Sequence, residues 1–178
     1  MQKYTMTSTV IYEGDLRTVA THLQSGSVIE TDAPLDNQGK AQRFSPTDLV
    51  ATALGSCMMT IMGIKARDMN VDLRGTKIEI EKIMKADPRR IGEINLQFHF
   101  PESFNVNEKE RIIFERAAHT CPVIYSINAD IKVNMVFNWR VAEGCVARRG
   151  QDGLNRSRPR LRHCQPAADA EANYGTIC

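Results

Sequence analysis

Two cysteines in this 178-residue chain stand where thiol chemistry would use them. Cys57 lies within an apolar stretch at residues 49–64, and Cys121 precedes Pro122 at a predicted helix start. A single buried cysteine is an ordinary packing residue. A second one at a helix N-terminus, in a chain with no other cysteine before residue 140, makes a redox pair. The working nucleophile is the thiolate, whereas a free cysteine at neutral pH is mostly thiol. Burial among Leu54, Met58 and Ile61 would hold Cys57 in the thiol form, so it needs a cation. Arginine suits the task because it stays charged and its fork can hold a thiolate and a peroxide oxygen together. Arg17, at the first predicted hairpin, is the candidate, with Arg67 and Arg74 as alternatives. Arg67 falls about three helical turns beyond Cys57, too far along one helix. Cys121 would sit beside unsatisfied backbone N–H groups, which suits a resolving thiol. Attack on a hydroperoxide would leave a Cys57 sulfenic acid, Cys121 would condense with it, and an external dithiol would reset the pair. Apolar surroundings would favour organic peroxides by roughly 0.8 kcal/mol per methylene buried.

The elements that must position these residues can be read from the pattern. Residues 4–12 are rich in threonine, tyrosine and β-branched side chains, and predict a first strand ending at a Gly14-Asp15 turn. Residues 17–23 return as its hairpin partner, and 27–31 give a short third strand before a loop at 32–43. Ser45, Pro46 and Asp48 predict a capped helix start. From 49 to 64 nearly every face of that helix is apolar, which predicts burial all round, in the core of the protein or of an oligomer. The helix should end near Met69 and Asn70. Residues 75–85 and 94–100 read as two long strands, the second alternating Ile94, Leu96, Phe98 and Phe100 with polar residues. Asn107 and Glu110 predict a second capping box. A short helix should run from Pro122 to Ser126, and a last strand over 130–140 should place Ile131, Val133, Met135, Phe137 and Trp139 on one face. The order βββ-α-ββ-α-(α)-β predicts an α+β domain with antiparallel pairing.

Charge and composition narrow the function classes. The net charge of +2 comes from residues 141–178, where six arginines face four acidic groups, so residues 1–140 balance at zero. A neutral domain has no electrostatic footprint for nucleic acid or an anionic membrane. Polar interruptions argue against a bilayer span, and the start has no signal-peptide apolar region. The expected compartment is a reducing cytoplasm, where a disulfide is more often transient and catalytic than structural. Segment 141–178, with Cys145, Cys164 and Cys178, lacks helical or strand periodicity and reads as a peripheral extension to a domain at 1–140. His22, His99 and His119 lack metal-ligand spacing, and no glycine-rich phosphate loop precedes a helix, so neither a metal nor a cofactor is expected. His119 is two residues from Cys121 and could touch a thiol. Helix-end packing explains it equally, as capping explains Asp48.

The segment Ser45-Pro-Thr-Asp-Leu-Val-Ala-Thr-Ala-Leu-Gly-Ser-Cys57, the segment Ala118-His-Thr-Cys-Pro122 and the order of elements resemble the OsmC/Ohr family of osmotically inducible and organic hydroperoxide resistance proteins. The resemblance covers residues 1–140. It implies an intertwined homodimer with antiparallel sheets around central helices, and a cysteine-based peroxidase used in oxidative-stress defence. It implies Cys57 as the peroxidatic thiol, Cys121 as the resolving thiol, Arg17 as the catalytic arginine, and an external dithiol reductant. The sequence departs from the better-characterised hydroperoxide reductases at one place. They carry a glutamate just inside the first helix, where this chain has Thr47 and then Asp48. That places it with the broader OsmC-like branch. The methionines of the first helix (Met58, Met59, Met62 and Met69) and the absent glutamate support an alternative, a non-catalytic OsmC-like dimer binding an apolar small molecule between its helices.

Overall fold

The computed structural model describes residues 6–139, so the predicted extension at 141–178 and its three cysteines lie outside the described residues. The chain begins with strands β1 (Ser8–Gly14), β2 (Arg17–His22) and β3 (Val28–Asp32), joined as one antiparallel sheet in that order. Asp15 and Leu16 turn the first hairpin with φ of 49° and 62°, the double left-handed conformation that matches the twist of paired strands. The turn delivers Arg17 as the first residue of β2, directly opposite Asp32 of β3.

Helix α1 (Pro46–Asp68) is fixed at both ends. The Ser45 side chain accepts from the Asp48 N–H while the Asp48 carboxylate accepts from the Ser45 N–H, which satisfies donors that no helical turn can reach. At the far end, Asn70 takes a positive φ of 54°, and the Val71 N–H donates to the Ala66 carbonyl at 2.8 Å. That is the left-handed closure expected of a helix end.

The rest of the fold is β4 (Lys77–Lys85), β5 (Arg90–His99), α2 (Glu108–Ala118), α3 (Pro122–Ser126) and β6 (Lys132–Asn138). The predicted element order holds throughout. Strands β4 and β5 pair antiparallel, but β6 joins the other side of β5 in parallel. Antiparallel pairing therefore describes all the neighbours but this one. The α2–α3 segment crosses over the sheet between β5 and β6, and a crossover returns the chain in the same direction. Helices α1 and α2 pack on the inner face of this second sheet around Leu54, Met58, Met62, Leu96, Phe98 and Phe114, all fully buried. The helix comes close to the sheet at Gly55, where a Cβ would lie 2.6 Å from Ile80 Cδ1.

One expectation is met only in part within a single chain. Helix α1 is not buried all round. Its buried stripe is Ala51, Leu54, Gly55, Met58, Met62 and Ala66, while Val50 and Ile64 on the other side are exposed. The helix packs against the sheet, α2 and α3, and among the described residues Val50 and Ile64 on its other side stay exposed. By length and composition Pro46–Asp68 is also apolar enough to cross a membrane, with a mean hydropathy of 1.5, contrary to the reading from polar interruptions. In the fold it serves as the central core helix.

Candidate active site

Cys121 is the N-cap of α3. Its Sγ accepts from the Ile124 N–H at 3.4 Å, and Pro122 occupies the first helical position, as predicted. The side chain is fully buried. Burial pushes its thiol above the usual range, and the neighbouring Cys57 pushes the same way; the Ile124 and Val123 N–H groups only partly offset them. Cys121 is therefore held as a thiol, whatever its favourable place at a helix start.

Cys57 lies midway along α1 and is half-buried, not deep in the core. The buried stripe runs through Met58, and a side chain one residue away points about 100° around the helix. Cys57 thus flanks the stripe, on the side where α3 packs against α1. It is close enough to Cys121 to bear on that thiol's titration. Both thiols are free. The more accessible cysteine is on α1, and the buried one caps the five-residue α3.

Arg17 has a separate set of contacts. Its Nε and Nη2 donate to the two carboxylate oxygens of Asp32 at 2.8 and 2.9 Å, and Nη2 also donates to Gln42 Oε1 at 3.0 Å. The Gln42 N–H donates to Asp32 Oδ2 at 3.1 Å. The Asp32 side chain is only 3% exposed, and Arg17 beside it holds its carboxyl below the ordinary range. None of these contacts includes a cysteine, so the structure brings Cys57 and Cys121 together but does not join Arg17 to them within one chain. Of the alternatives, Arg74 is taken up by Asp72.

Asp48 does more than cap α1. It accepts from the Ser45 hydroxyl at 2.7 Å and from Lys82 of β4, while the Thr47 and Ser45 hydroxyls lie 3.0 Å apart. Burial raises the Asp48 carboxyl, but hydrogen bonds from Lys82 and Ser45 outweigh it and leave the group below its usual range. Lys82 was not among the sequence-derived candidates, although a signal was present. It is in phase with Ile78, Ile80 and Met84 on the inward face of β4, and a lysine there needs an anion. With Gln42, Phe44, Ala51 and Ile80, this ion pair lines an open cleft of about 490 Å³ at the start of α1. His119 is exposed and closes α2 through its backbone N–H. Among the described residues, no group of three His, Cys, Asp or Glu is placed to hold a metal ion.

Comparison with known proteins adds to this geometry. A family model described as OsmC-like protein matches residues 39–136, a span that holds both cysteines. A crystal structure from Psychrobacter arcticus 273-4, provisionally described as an osmotic stress induced and detoxification response protein, is 52% identical with a TM-score of 0.73, covering 76% of this chain and 97% of that one. An organic hydroperoxide resistance protein OsmC from Legionella pneumophila shares the fold at 17% identity and a TM-score of 0.59, over 76% of this chain and 98% of its own. An OsmC-like protein from Mycoplasma pneumoniae does so at 19% identity and a TM-score of 0.61, over 77% and 97%. No curated protein gives a significant match.

Proposed function

The chain belongs to the OsmC-like protein family, and we propose that within it this protein is a thiol-dependent organic hydroperoxide reductase. The observation that carries the reading is the adjacency of a half-buried Cys57 on α1 and a fully buried Cys121 at the start of α3. The Cys57 thiolate attacks the terminal oxygen of the hydroperoxide. The O–O bond breaks, the leaving alkoxide takes a proton to become an alcohol, and Cys57 becomes a sulfenic acid. Cys121 then bonds to the Cys57 sulfur, the hydroxyl leaves with a proton as water, and a disulfide remains. An external dithiol reduces that disulfide and returns both thiols. Arg17 acts as the cation that stabilises the attacking thiolate and the departing oxygen.

Arg17 has no hydrogen bond to either cysteine among the described residues, and we assign it to the Cys57 site of a second subunit. The first sheet supports that assembly. Val10, Ile11, Tyr12, Val28 and Ile29 are 49–64% exposed, and apolar residues spread across a three-stranded sheet call for a covering partner. The working form is a homodimer, and a reducing cytoplasm is the setting in which such a thiol cycle turns over.

The test is single turnover with cumene hydroperoxide. The wild type should consume about one peroxide per site, and Cys57→Ser should consume it no faster than buffer. A Cys57→Ser protein that matches the wild type would refute the reading. A wild type whose thiols survive excess peroxide would shift the argument to the second reading, a non-catalytic dimer that binds an apolar molecule along the open flank of α1.

A further inference from the structure

The family resemblance leaves a gap at residue 47, where threonine stands in place of an acid, and Arg17 takes its carboxylate partner from β3. Three observations bear on it. First, Asp48, the acid nearest the gap, is committed to Lys82 and Ser45, with no contact to Arg17. Second, Arg17 does have a carboxylate, and it comes from β3. The Asp32 contact is two-pronged, through Nε and Nη2, which fixes the plane of the guanidinium as well as its position. Third, Asp32 is itself fixed. It is 3% exposed, lies directly opposite Arg17 in strand register, accepts from the Gln42 N–H, and donates its own N–H to the Phe44 carbonyl at 3.1 Å.

A buried carboxylate that gives both oxygens to one arginine, on a rigid strand pair, serves to aim that arginine. Among the described residues the remaining guanidinium nitrogen, Nη1, makes no hydrogen bond, and the Arg17 side chain keeps 31% of its surface open. That leaves one edge of the fork for a substrate oxygen or a thiolate.

We infer that Asp32 is the positioning residue for Arg17 in this chain. This rests on the peroxide-reducing role proposed above. Asp32 touches neither peroxide nor thiol; it acts through Arg17 by holding the fork at a fixed angle.

The experiment is a double-mutant cycle on the full chain, with Asp32→Asn, Arg17→Ala and the pair, read as the second-order rate of cumene hydroperoxide consumption. Asp32→Asn should lower the rate about 10- to 100-fold, the scale of loss expected when a positioned group is misplaced. In the Arg17→Ala background it should change the rate by less than about twofold, because its target is gone. Asp32→Glu should restore part of the rate. A folding defect would instead lower the fraction of active protein equally in both backgrounds. The unfolding transition followed by the single tryptophan, Trp139, normalises each rate to folded protein. An Asp32→Asn protein with wild-type rate, or equal losses in both backgrounds, would overturn the inference and leave the peroxide reading intact. A wild type that leaves peroxide untouched would remove both.

Discussion

At the scale of single residues, the site divides into a thiol pair and two ion pairs. Asp48 and Lys82 form the pair nearest the first turn of α1, with Lys82 only 17% exposed. Lys82→Ala should destabilise the protein by roughly 1–2 kcal/mol, between the values for exposed and buried pairs, measured by urea unfolding. The pH dependence follows from the depressed Asp48 carboxyl. A group whose folded pKa is lowered stabilises the native state above its unfolded pKa, and that contribution is lost as pH falls through the folded value. The wild-type advantage over Lys82→Ala should therefore be full at pH 6 and shrink as the pH falls below about 4. A constant gap down to pH 2 would show that the lysine acts through packing alone. Sequence reading reached the two cysteines because each carries a local mark, an apolar helical phase for one and a following proline for the other. It missed Asp32, which it placed in a loop, because the partnership with Arg17 depends on strand register across a turn at residues 24–26. It missed Lys82, which continues the inward alternation of Ile78, Ile80 and Met84, because a charged side chain does not mark an inward position in an apolar pattern.

At the scale of elements, local chemistry fixes boundaries and tertiary packing fixes direction. The Ser45 and Asn107 caps, the end of α1 and the start of α3 were all legible, since each is a contact between residues at most five apart. Ser45 has a larger role than an ordinary cap. It is buried and in hydrogen-bonding contact with Thr47, Asp48 and Lys82, so it joins helix to sheet beside the cleft. Ser45→Ala should therefore lie near the upper end of the usual range for cap removal, at about 2 kcal/mol, in thermal or urea unfolding. A loss below about 0.5 kcal/mol would mean that the cap network adds nothing to helix propensity. The parallel pairing of β6 was not legible. Its inward pattern of Val133, Met135 and Phe137 is the same for either direction, and only the α2–α3 crossover decides it.

At the scale of the whole molecule, the described residues bury one core well and leave a second apolar surface open. The second sheet and its helices enclose a stack of Phe100, Phe104, Phe137 and Trp139, whereas the first sheet and the outer flank of α1 remain exposed. Sequence analysis foresaw this in part, because a helix apolar on every side needs more cover than one chain supplies. Sedimentation equilibrium should give twice the chain mass of 20.0 kDa, and a monomer at micromolar concentration would contradict the assembly on which Arg17 depends. The central claim is narrower than assembly: it is that oxidation of one sulfur is completed by the other. It is tested most directly by treating the reduced protein with one equivalent of cumene hydroperoxide, blocking free thiols, digesting without reductant and identifying the linked peptides by mass. The account predicts a Cys57–Cys121 disulfide as the main product, and a stable Cys57 sulfenic acid in its place when Cys121 is serine. Recovery of both peptides as free thiols after the peroxide has been consumed, or a disulfide from Cys121 to any cysteine other than Cys57, would contradict it.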